Sequence, residues 1–350
     1  SPTSTGTYSV SYSGVVATAG ELPTAASGFL KDLTVSGVVS LNKSINVKGT
    51  LTINGGSLTA GANDVTISGT AFTVNSGSFT INSGQLVTFA SGTTTTLSGA
   101  SLSGIQFGNA TVNPGTTLVV SGTNPDINVS GTWDNNGALT AGSSNFVFNG
   151  ASQSIDTNGQ PFWSVTFAGT GTKTLGQALD THGSLTINNG VTLDVGVNRT
   201  ITCGGSWVNN GTFNANNGLV VFDGTAQSIN AAGQAFYDLQ LSTSSTTKTL
   251  TGAIDINHNL TIDAGVTFDV SAIAYQINIA GNWINNGTFT RRTGTVVFDG
   301  TTVISGSTAP SFNNVTISGT ALTLPSGLTT DVSGNWNQSA GTLTATGSTL

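Results

Sequence analysis

The chain has 350 residues and a net charge of -7, with only 7% charged residues against 47 Gly and 99 Ser or Thr. Eight basic residues with no basic run give no footprint for a phosphate backbone, and no apolar run approaches the roughly 20 residues of a membrane-spanning helix, so nucleic acid and a membrane span are excluded. An evenly distributed hydrophobic content of 37% excludes disorder, while one Glu, no Met and abundant Thr, Val and Ile exclude a helical fold.

In chain order, residues 1–28 lack the pattern that follows and carry Tyr8, Tyr12 and Pro23, which predicts a cap, a linker or a strand lent to a neighbour. The start at Ser1-Pro2-Thr3, with neither an initiator Met nor an apolar leader, is expected of a processed, secreted chain or an excised fragment. A single Cys permits no internal disulfide, and a solenoid needs none, since backbone ladders and a continuous core replace the staple.

From residue 29 to 124, apolar-Thr-apolar triplets recur at Leu33, Leu51, Val65, Phe72 and Phe79, separated by Gly-, Asn- and Ser-containing turns. Strands of about 3 to 6 residues at such short spacing predict a parallel β-solenoid (β-helix) with roughly 20 to 25 residues per coil. About 15 coils stacked at about 4.8 Å would extend roughly 70 Å.

Residues 125–350 carry a repeat. GTWDNNGALTAGSSNFVFNGASQSI begins at Gly131, GSWVNNGTFNANNGLVVFDGTAQSI at Gly205, GNWINNGTFTRRTGTVVFDGTTVI at Gly281, and a truncated GNWNQSAGTLTATG at Gly334. Trp133, Trp207 and Trp283 recur at a nearly constant period of about 75 residues, whereas Trp336 follows Trp283 about one coil too early. Because strand residues alternate between two faces, the columns that stay apolar are the core: these Trp, then Phe148, Phe222 and Phe298, then Val129, Cys203, Ile279 and Val332. Cys203 is therefore expected to be a small core hydrophobe. The Asn of the NNG turns, Asn135, Asn209 and Asn285, are expected to bond turn backbone, being too many coils apart to stack on one another.

These units resemble repeats of large bacterial and archaeal surface proteins, including β-solenoid adhesins and surface-appendage proteins. The resemblance covers the chain from Pro125 to Leu350. It implies extracellular display on a solenoid and transfers no catalytic residue.

Polysaccharide-active β-helices need carboxylates gathered at one place, and Glu21 is the only Glu. The repeat-aligned Asp pairs, Asp223 with Asp299 and Asp194 with Asp269, recur beside turns, which fits Asx-type backbone bonds better than a unique active site. A Ca²⁺ site is the alternative for them, although one carboxylate per turn is sparse for a cation that takes six or more oxygens; no other cofactor is expected. His182 and His258 do not align and read as turn residues. Asn-x-Ser/Thr acceptors occur at Asn42, Asn109, Asn128, Asn198, Asn210, Asn259, Asn286, Asn314 and Asn337, no more than composition alone supplies. Outward Thr34, Thr52, Thr66, Thr73 and Thr80 are too unevenly spaced for one flat hydroxyl row.

No enzyme is expected. The composition and the repeat predict a structural protein, a subunit of a cell-surface filament, sheath or surface layer that assembles head to tail with copies of itself through open coil ends and the N-terminal segment. The alternative is an adhesin stalk or glycan-binding module, with Trp163 and Tyr237 as outward contacts to cell-surface glycans.

Overall fold

A computed structural model describes residues 7–15 and 20–350. The chain is all-β, 52% strand and 2% helix, and its strands stack as a parallel β-solenoid of about 16 turns. It forms two compact units, Ser1–Leu179 and Asp180–Leu350, a division that falls inside the Trp-bearing array and not at its start.

In the first unit the coils build three parallel stacks of strands. Leu30–Val35, the first halves of Thr50–Thr59 and Ala71–Thr80, Thr94–Ser98, Thr117–Ser121 and Ala138–Thr140 make one stack. The second halves of the two long strands, Ile105–Phe107, Asp126–Val129, Asn145–Phe148 and Ser164–Phe167 make another. The third runs from Ile45–Val47 through Leu86–Phe89 and Trp133–Asn135 to Gly171–Leu175. Its column Ile45, Val65, Val87, Ala110, Trp133, Ile155 and Leu175 stays in register throughout, one residue per coil, at the coil length expected from the turns. At the start, Tyr8–Tyr12 pairs in parallel with Leu30–Val35 of the same chain and buries Tyr12. The segment read as a cap or a lent strand thus adds to its own first coil; residues 1–6 and 16–19 lie outside the described residues.

The second unit repeats the plan with stacks typified by Thr200–Cys203, Trp207–Asn209 and Ile254–Ile256. Trp207, Trp283 and Trp336 fall in three different stacks. From Trp207 the register steps to Ile229 and Leu250 on the following coils, so the interval from Trp207 to Trp283 is three coils and two further faces. One sequence unit is therefore read onto a new face each time, which requires the three faces to be equivalent.

Strand alternation fixes which side chains point inward. Trp133, Trp207, Trp283, Phe148, Phe222, Phe298, Val129, Cys203 and Ile279 are all buried. Trp336 and Val332, expected in the core, are only half-buried: the strand Trp336–Gln338 is paired on one side, with Asn314–Ile317, so no coil covers the other face among the described residues. Each buried indole meets a Phe edge-on at 4.9–5.0 Å. That Phe comes from different places: Phe213 and Phe289 in the second and third repeats, but Phe146 in the first. Where Phe213 and Phe289 stand the first repeat has Leu139, and where Phe146 stands the others have Val220 and Val296, so volume is exchanged between two positions facing one cavity.

Candidate functional site

The chemistry-bearing side chains collect at one corner of the coil, just after the strand that ends in Phe148, Phe222 or Phe298. In the first unit the chain turns there through Asn149-Gly150. Gln153, buried, accepts from Gly150 N at 2.9 Å and donates to Val129 O at 2.9 Å and Gly131 O at 2.6 Å on the coil before. Lys173 stands in register on Gln153 and is 0% exposed. Its ammonium donates to Gly150 O, to Thr170 O at 3.0 Å and to Ala151 O at 3.3 Å.

The second repeat rebuilds this corner. Gln227 accepts from Gly224 N at 2.9 Å and donates to Cys203 O at 2.7 Å and Gly205 O at 2.6 Å. Lys248, also 0% exposed, lies in register on Gln227 and donates to Gly224 O. Burial pushes both ammonium groups down to about 8, opposed at Lys248 by the Asp223 charge. In the third repeat the same two positions are Thr302 and Leu322, likewise buried and in register.

Outside each corner a second pair of side chains is set by the register. Gln106, Asn128 and Val147 lie side by side on successive coils, with Asn149 just beyond Val147 on the same strand and turn. Gln106 and Asn149 join through reciprocal amide hydrogen bonds of 2.9 and 3.3 Å across two coils. They line an open polar groove of about 710 Å³ with Thr80, Asn109, Ser130 and Thr132. The equivalents are Asp180 with Asp223, and Asp255 with Asp299. Burial holds Asp180, Asp255 and Asp299 above the usual carboxylate range; His182 lowers and Asp223 further raises Asp180, and Asp299 further raises Asp255.

Asp223 stands exposed beside this turn, whose Gly224 N–H is taken by the buried Gln227. Asp194 and Asp269 do form Asx turns, accepting from Gly196 N at 2.8 Å and Ser271 N at 2.9 Å. Asp269 also takes a bidentate Arg292 at 2.7 and 3.0 Å, which holds its carboxyl below the usual range. Asn135 and Asn209 are buried, accept from the glycine of their own turn and donate to Thr157 O and Ala231 O of the next coil; Asn285 closes its own turn through Gly287 N.

The remaining candidates are placed as follows. Trp163 is 42% exposed, and Tyr237 is half-buried, stacked on His258 at 4.7 Å. His258 meets Asp238 at 2.8 Å, and His182 meets Asp180 at 4.0 Å. Among the acceptor asparagines, Asn42, Asn198, Asn210 and Asn337 are exposed. Asn109, Asn128, Asn259, Asn286 and Asn314 are half-buried and bond a neighbouring coil, as Asn109 Oδ1 does with Thr132 N at 2.8 Å. Thr34, Thr52 and Thr73 share one row, Thr66 lies in another stack and Thr80 in a third. Among the described residues no group of three or more His, Cys, Asp or Glu gathers as a metal site requires. Among the described residues no helix is long and apolar enough to cross a membrane.

Sequence reasoning missed Lys173 and Lys248. The signal was present: each lies one alternation before an inward Leu, Leu175 or Leu250, and so belongs to the inward phase of its strand. Compared with models of known protein families, with curated proteins and with solved structures, the chain matches none.

Proposed function

We propose that the chain is a structural extracellular protein, a subunit of a cell-surface filament, sheath or surface layer that associates with copies of itself. The observation that supports this best is the use to which its reactive side chains are put. Gln153, Lys173, Gln227, Lys248, Asn135 and Asn209 each bond backbone of their own corner or of a neighbouring coil; the asparagine recurs in all three repeats and the Gln–Lys pair in two of them. A substrate site is built once, whereas these are built more than once, as parts that hold coils together. Coils of a second copy stacked on the same ladder would meet the same partners, which gives head-to-tail growth. Because Tyr8–Tyr12 pairs within its own chain, this reading rests on coil stacking and not on a lent strand.

Negative-stain electron microscopy of the purified chain tests it. Filaments or sheets at high protein concentration are expected; monomers at every concentration would refute self-assembly. The exposed Trp163 favours the second reading, a glycan-binding stalk. That reading expects glycan-array binding that Trp163→Ala abolishes, and an array without binding removes it.

A further inference from the structure

Eight Asn–Gly bonds occur in the chain, beginning at Asn54, Asn136, Asn149, Asn158, Asn189, Asn210, Asn217 and Asn286. At such a bond the glycine nitrogen can attack the asparagine side chain, because glycine has no Cβ to shield it. The fold holds six of these glycine N–H groups on a fixed acceptor. In three Asn-Asn-Gly turns the acceptor is the first asparagine: Gly137 N donates to Asn135 Oδ1 at 3.1 Å, Gly211 N to Asn209 Oδ1 at 2.9 Å and Gly287 N to Asn285 Oδ1 at 3.1 Å. Gly150 N donates to Gln153 Oε1 at 2.9 Å, Gly159 N to Thr157 Oγ1 at 3.1 Å and Gly218 N to Ala215 O at 2.8 Å. A seventh bond, Asn54–Gly55, lies inside the strand Thr50–Thr59, which pairs with a coil on either side.

Asn189–Gly190 is the exception, and the register explains why. The strand Leu185–Ile187 pairs with Trp207–Asn209 so that Ile187 is opposite Asn209. The inward position that the asparagine fills one coil later is therefore taken by the buried Ile187, and Asn188 falls out of the inward phase. Asn188 closes its turn through the backbone instead, its carbonyl accepting from Val191 N at 3.2 Å. Gly190 N has no acceptor among the described residues, Asn189 and Gly190 are both exposed, and a Cβ on Gly190 would meet nothing within 4 Å. We propose that Asn189 is a site of self-modification, converting to aspartate and isoaspartate through a cyclic imide while the chain stays folded, and that Asn135, Asn209 and Asn285 guard Asn136, Asn210 and Asn286 against the same reaction. In the first step the Gly190 nitrogen bonds Asn189 Cγ and the Cγ–Nδ2 bond breaks; Nδ2 leaves as ammonia, taking the proton that the Gly190 nitrogen gives up. Water then opens the ring at either carbonyl, so one water is consumed for each ammonia released and nothing is oxidised or reduced. The product adds a negative charge at the turn, and its isoaspartate form lengthens the main chain there by one methylene.

The inference is independent of any surface role. It is tested by incubating the native full chain for days in mildly alkaline buffer, beside the same chain unfolded in urea, and mapping the peptides of both by mass spectrometry. In the native chain Asn189 should convert about tenfold faster than any other Asn–Gly site, the factor that one hydrogen bond is worth in a rate. In urea, where no glycine N–H is held, the eight sites should converge. Another Asn–Gly site that matches Asn189 in the native chain would overturn the proposal, and so would an Asn189 that stays intact in the native chain while the unfolded chain converts. Asn209→Ala releases Gly211 N and should speed the conversion of Asn210 several-fold; an unchanged Asn210 in the folded variant would overturn the guarding role. Should that variant not fold, the wild-type peptide map decides without it, because guarding requires Asn136, Asn210 and Asn286 to lag behind Asn189.

Discussion

At Lys173 and Lys248 a charged side chain occupies a position that Leu322 fills in the third repeat. An ammonium with carbonyl partners on its own and the neighbouring coil ties the coils in one register, at a desolvation cost that leucine does not carry. Both amines release their protons near 8 in the fold and near 10.5 in the unfolded chain. Between those values the unfolded chain binds more protons, so stability rises with pH from about 8 to about 10.5. The paired change Gln227→Thr with Lys248→Leu, copied from the third repeat, should flatten that rise by about 1–3 kcal/mol in pH-dependent urea unfolding; an unchanged slope would show that the buried amine titrates normally. Cys203 belongs to the same scale. Burial pushes its thiol up to about 11, so native protein should resist thiol reagents, and Cys203→Val should cost under about 1 kcal/mol, since Val129 and Ile279 occupy the same column. The cysteine was legible because three aligned neighbours are aliphatic. The lysines were not, because full burial of Lys is rare enough that composition argues against it.

At the scale of a strand and its turn, strict side-to-side alternation marked the inward columns directly, and the NNG triplet marked the turns. What alternation could not reveal is how neighbouring positions trade volume. Leu139 with Phe146 fills the space that Phe213 with Val220 fills one repeat later. Phe213→Leu should open a cavity and cost about 1–3 kcal/mol, and Val220→Phe should overpack by a similar amount. Together they should cost less than either alone, a coupling read from a double-mutant cycle in urea; strict additivity would mean the two positions do not share a cavity. The corner glycine is a harder constraint. A Cβ on Gly224 would lie 1.7 Å from Gly204 O on the preceding coil, so Gly224→Ala should separate the two coils and lower the melting temperature sharply.

For the whole molecule, the fold class, the coil length and the number of turns follow from a sequence poor in charge, rich in β-branched residues and punctuated by turns every few residues. The phase between repeat and coil does not. The repeat is not a whole number of coils, and only the register shows that the remainder moves Trp283 to a different stack from Trp207. The outer acid pairs were hidden for the same reason: Asp255 and Asp299 are remote in sequence and share a corner only because the register carries it across two coils. Parallel, in-register stacking carries every one of these assignments. It is tested most directly by cysteine cross-linking in a Cys203→Val background, using outward positions on adjacent coils, where Thr202 is opposite Val221 and Val221 opposite Gln240. Thr202→Cys with Val221→Cys, about 4.8 Å apart, should oxidise to a disulfide, and Thr202→Cys with Gln240→Cys, about 9.6 Å apart, should not. Cross-linking of the second pair in preference to the first would contradict the register and the solenoid with it.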